Sequence, residues 1–108
     1  MANKERGEIA VSLGGKDYRL RPTFQALAEI ENRSGIGLVA LARRFLAQDF
    51  GLNDVIAVLE PAIEAGGVKP PADLGALVVM QGIATFTAPI ETFLIQALTG
   101  RPATAPEK

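Results

Sequence analysis

Two short alternating runs meet at Gly14-Gly15, and that junction limits the fold more than any other feature of the chain. In EIAVSL, residues 8–13, the apolar side chains Ile9, Val11 and Leu13 fall on one face. In KDYRLRP, residues 16–22, Tyr18 and Leu20 do the same. Successive side chains of a strand point to opposite faces, and two glycines suit the tight turn of a hairpin. The pattern predicts a β-hairpin. Two strands alone are barely stable in water, so later segments must cover the apolar face. Pro22 stops the second strand because it has no N–H for the ladder. Beyond it the apolar spacing is helical. The predicted fold class is therefore mainly α (α+β), an N-terminal β-hairpin followed by about five short helices.

Thr23 is a natural N-cap for a first helix over Phe24 to about Arg33, and Gly35 suits the left-handed position after it. Phe24, Leu27, Ala28 and Glu31 share one side of this helix. A second helix over Leu38 to about Ala47 carries Leu38, Leu41, Ala42 and Phe45 as a stripe at i, i+3, i+4 and i+7. Gly51 breaks the chain, and Asn53 is placed to cap a third helix from Asp54. That helix contains Pro61, which predicts a kink or a break. Gly66-Gly67 ends it, and VKPP is a stiff connector. Asp73 can cap a fourth helix over Leu74 to about Ile83. It is apolar nearly all round, which argues for the centre of the core or an oligomer interface. A fifth helix follows Thr87 and Pro89, with Ile90, Phe93, Leu94, Ala97 and Leu98 along one side and Gly100 at its end.

The chain has 108 residues, enough for one domain. The reading divides it into a flexible N-terminus at 1–7, a single domain at 8–100 and a disordered tail, RPATAPEK, at 101–108. The N-terminus has no apolar run of the kind that makes a secretory signal. The longest uncharged stretch, LGALVVMQGIATFTAPI at 74–90, is short for a membrane span and holds Gln81 and Pro89, so it reads as a core helix and the start of the next.

Cysteine and histidine are both missing. That excludes disulfides, thiolate metal sites, imidazole bases, and the Ser-His-Asp and Cys-His arrangements. The acidic residues stand singly, and no phosphate-binding or calcium-binding loop is present. The expectation is a protein that is not an enzyme, with no catalytic residue, cofactor or metal. Net charge is −1. Up to Arg44 there are eight basic and five acidic residues, and from Phe45 onward three basic and seven acidic. This asymmetry is weak, but it can orient association.

Glu29 and Glu31 lie two apart on a helix and point in nearly opposite directions, so they cannot share a ligand. Glu31 falls within the apolar stripe, where a carboxylate needs a partner. The open N–H groups at the start of the second helix, Arg21 and Arg44 are the candidates, and the carboxylate would lock the first helix to the second. Arg43 and Arg44 lie on the outer face of the second helix. Helix, glycine turn, helix with arginines is the layout of a helix-turn-helix, and a small DNA-binding regulator is one alternative. Against it, LVALARRFLA offers few base-reading side chains and the chain is acidic, so no nucleic-acid partner is expected.

The order YRLRPTFQALAEIENRSGIGLVALARRF, residues 18–45, carries a resemblance. Gly7-Glu8, Tyr18, Leu20 to Phe24, Ala26-Leu27, Ile30-Glu31, Gly35, Leu41-Ala42 and Arg44-Phe45 match a pattern of small phage tail proteins. The chain resembles the tail assembly chaperone-like family of alphaproteobacterial gene transfer agents and related prophages. The layout matches over residues 7 to about 98. The resemblance implies a non-enzymatic tail assembly chaperone in the bacterial cytoplasm, absent from the finished particle. Its partner would be the tape measure protein or other tail proteins. The alternative is a structural tail component, a tube or minor tail protein, that self-assembles as a homo-oligomer. For either role the candidate partner surface is Val79, Met80, Ile83 and Phe86, with Arg43 and Arg44 second. Pro22, Thr23, Phe24, Glu31, Gly35 and Phe45 are the candidate structural residues.

Overall fold

The computed structural model describes residues 9–100. The expectations for residues 1–7 and 101–108, and the Gly7-Glu8 part of the motif, lie outside the described residues. Strand β1 (Ile9–Leu13) pairs antiparallel with β2 (Lys16–Leu20), Ile9 opposite Leu20 and Leu13 opposite Lys16. Gly14 and Gly15 both have positive φ, 60° and 81°, as the two-residue turn requires. Five helices follow: α1 (Phe24–Ser34), α2 (Leu38–Leu46), α3 (Leu52–Ala65), α4 (Leu74–Gln81) and α5 (Thr87–Thr99). A short 3-10 helix, Ile83–Phe86, links the last two. The predicted mainly α (α+β) class is what the chain adopts.

Each boundary has a local cause. The Thr23 hydroxyl accepts the Ala26 N–H at 3.1 Å, and Gly35 closes α1 at φ 77°. Helix α2 ends without glycine: Gln48 takes the left-handed conformation at φ 57°, and the Asp49 N–H reaches the Arg44 carbonyl at 2.8 Å. Helix α3 starts two residues before the expected Asp54. Its N-cap is Gly51, not Asn53, because the Asp54 carboxylate reaches back to the Gly51 N–H at 2.9 Å.

Pro61 does not break α3, which runs on to Ala65. The ring is buried within a run of buried residues, Val55, Ala57, Val58, Leu59, Ala62 and Ile63. Their burial outweighs the roughly 3 kcal/mol that an interior proline costs. Helix α4 ends at Gln81 rather than Ile83, because Gly82 turns the chain at φ 95°. The axis bends by 100° there, and among the described residues no single helix is long and apolar enough to cross a membrane.

The core is built from the inner face of the hairpin (Val11, Leu13, Tyr18, Leu20) and one side of each helix. Helix α1 packs on α3, α2 on α5, and β2 on α3. Phe45 stacks on Phe50, ring centroids 4.5 Å apart. On α5 the buried set is Ile90, Phe93, Leu94 and Gln96, while Leu98, expected inside, is exposed. The hairpin is fixed at both edges by helix ends. The Arg21 N–H bonds to the Ala62 carbonyl at 3.1 Å. On the other side Gln81 acts as a two-pronged clamp: its Nε2 donates to the Ser12 carbonyl at 2.8 Å, and its Oε1 accepts the Gly14 N–H at 2.6 Å.

Candidate functional site

The charged residues that drew attention in the sequence are structural joints between helices. The Glu31 side chain is exposed, not in the core. Helix α1 packs on α3 through Ala26 and Ile30, the buried pair one turn apart, which leaves Glu31 off that face. Its Oε2 accepts the Leu38 N–H at 3.0 Å. Gly37, the N-cap of α2, has no side chain to cap with, so the carboxylate of the preceding helix takes that place. Arg33 joins α1 to α3 by donating to Glu29 at 2.8 Å and to Glu60. The hydrogen bond to Glu29, then that to Glu60, raises the guanidinium pKa above its ordinary value. Arg44 donates to Asp54 at 3.3 Å, the carboxylate that also holds Gly51. Arg44 is therefore half-buried and engaged, whereas Arg43 is exposed.

The predicted apolar surface divides in two. Val79 and Met80 are 56% and 81% exposed on α4. Phe86 is buried in the core and Ile83 is partly buried against it, so neither offers a partner surface. The turn at Gly82 causes this, since it directs the 3-10 helix inward under α5. Helix α4 is thus not central: Leu74 and Val78 face in, Leu77 packs on the hairpin turn near Gly14, and the other side is open.

Phe24 departs furthest from its predicted role. It is 85% exposed at the first position of α1 and supports no core. Val39 and Leu46 on α2 and Ile95 on α5 are also exposed apolar residues that sequence reasoning did not single out, and Leu98, expected inside, joins them. Their signal was available for α2: Val39, Arg43 and Leu46 repeat at i, i+4 and i+7 beside the buried stripe.

Two concave features bear on the site, and both are small. An open cleft of about 180 Å³ lies between α1 and α3, lined by Thr23, Gln25, Ala26, Glu29, Pro61, Glu64 and Ala65. A second, about 290 Å³, lies by Lys69–Pro70–Pro71. Both fall below the roughly 300–1,000 Å³ usual for small-molecule sites, so the exposed apolar side chains are the better candidate surface. Among the described residues no group of acidic side chains is placed to hold a metal ion.

A family model described as phage tail tube protein, GTA-gp10, matches residues 6–100. The chain belongs to this phage tail protein family. The match spans the hairpin and all five helices. It agrees with the resemblance to gene transfer agent tail proteins, but its description is of a tube protein, not specifically of an assembly chaperone. No curated protein and no solved structure matches the chain.

Proposed function

We propose that this chain is a structural component of a phage-type tail and acts by self-association and contact with neighbouring tail proteins, without catalysis. The observation that carries this reading is the tube-protein family match over residues 6–100. The adjacent exposed side chains Val79 and Met80 on α4 support it as a contact surface. Mass spectrometry of purified particles tests it directly. The expected result is the chain in stoichiometric amounts with the tube proteins, and its absence from intact particles sinks the reading.

One observation favours a second reading, a tail assembly chaperone that binds the tape measure protein and leaves. Met80 is flexible, almost fully exposed, and lies beside Val79 on a helix with no charge, the kind of surface that adapts to apolar helices. Co-expression with the tape measure protein separates the two. A soluble complex together with particles that lack the chain supports the chaperone.

A further inference from the structure

Two stripes on different helices complement one another. On α2, Val39, Arg43 and Leu46 are exposed and follow at steps of four and three. On α5, Ala88, Glu91, Ile95 and Leu98 follow at steps of three, four and three; Glu91 is half-buried and the others are exposed. Such spacing runs along one side of a helix and is the seam spacing of paired helices. Each stripe holds one unpaired charge. Arg43 makes no ion pair among the described residues, whereas its neighbour Arg44 is held by Asp54. Glu91 is the one charged residue of α5, and no described basic residue pairs with it. Helices α2 and α5 pack together within the chain, yet Val39, Leu46, Ile95 and Leu98 all stay exposed, so the stripes do not cover each other there.

We infer that the α2 stripe of one copy packs antiparallel on the α5 stripe of a second copy. The inference rests on the self-associating reading above and names its surfaces. Charge selects the occupant: the unpaired cation of one stripe and the unpaired anion of the other belong to the same chain, so each copy carries both halves of the contact. The same pair selects the direction. With the helices antiparallel and Arg43 opposite Glu91, Val39 falls opposite Ile95 and Leu46 opposite the small Ala88. Leu98 then reaches the level of Ile36, a partly buried residue in the turn before α2. With the helices parallel, the same ion pair sets Leu46 opposite Leu94, which is buried in the core of its own chain. The antiparallel arrangement also sets the helix dipoles in opposition, which is favourable. The two stripes are different surfaces, so a pair of copies leaves one of each open. The contact therefore repeats into a ring or a filament instead of closing at two copies.

The chain has no cysteine, so introduced thiols report proximity without background. Val39→Cys and Ile95→Cys are made in separate full-length chains. Mild oxidation is expected to link a substantial share of their equimolar mixture as mixed dimers, and to leave each variant on its own unlinked. Arg43→Glu and Glu91→Arg, each alone, are expected to weaken association at least about tenfold in sedimentation velocity, and the two combined in one chain to restore it. Glu64→Arg, at an exposed acid away from both stripes, is the control and leaves association unchanged. Oligomers that form without the mixed cross-link, or without rescue by the charge swap, overturn this seam but leave self-assembly intact, as does either cysteine variant linking to itself. A wild-type chain that stays monomeric up to millimolar concentration overturns both.

Discussion

Helices α1 to α3 and helix α4 are held in place by different means. In the first region each joint has a dedicated polar side chain: Glu31 caps α2, Arg33 bridges α1 and α3, and Asp54 secures both Gly51 and Arg44. Helix α4 has no charged residue and no side-chain cap. It is held by Leu74, Leu77 and Val78 and by the single amide of Gln81. Redundant joints make a rigid scaffold. Helix α4 has the Gln81 amide as its one polar clamp beside its buried Leu74 and Val78, and it is also the element that exposes Val79 and Met80.

Four tests bear on this contrast. Gly66→Ala is expected to have the largest effect, a loss of about 1–3 kcal/mol in urea denaturation, because the new Cβ meets a backbone carbonyl that cannot rotate away. A loss under about 0.5 kcal/mol would mean that the end of α3 does not press on β2. Gln81→Ala is expected to cost about 1–2 kcal/mol and to speed amide hydrogen exchange at Gly14 while leaving the α1 and α3 amides unchanged. Uniform acceleration would show that α4 is part of the scaffold after all. Glu31→Ala is expected to cost about 1 kcal/mol, and Glu31→Gln less, since its carbonyl oxygen can still accept the Leu38 N–H. Equal thermal midpoints for wild type and both variants would dismiss the joint. The pair Val79→Ser with Met80→Ser is expected to change stability by no more than about 0.5 kcal/mol and to weaken association with tail partners in pull-down assays.

The same contrast explains what was legible in the sequence. The hairpin, Thr23 as cap, Gly35 as stop and the stripe of α2 all come from rules that act within a few residues. Helix α1 was read with Phe24, Leu27, Ala28 and Glu31 on its inner side, and of these Leu27 packs against the core while the other three are exposed. Packing on α3 instead chose the small Ala26 and Ile30, which let the two helices approach. Helix α4 carries no periodic signal at all, so its buried side depends on where Gln81 and Leu77 meet the hairpin, a contact between distant parts of the chain. The candidate surface was half legible for the same reason. Val79 and Met80 are open, but Phe86 lies across the turn at Gly82, which sends it inward. Pro61 within α3 shows a helix carried past a proline without a break.

The Gln81 clamp also sets an order of events in time. Its partners Ser12 and Gly14 lie 69 and 67 residues earlier in the chain. At the roughly 5–20 residues per second of ribosomal synthesis, the hairpin leaves the ribosome several seconds before the residue that fastens it. A nascent hairpin without its clamp leaves the Ser12 carbonyl and the Gly14 N–H to water. The last third of the protein therefore acts as a delayed lock on the first, and a truncated product would lack it.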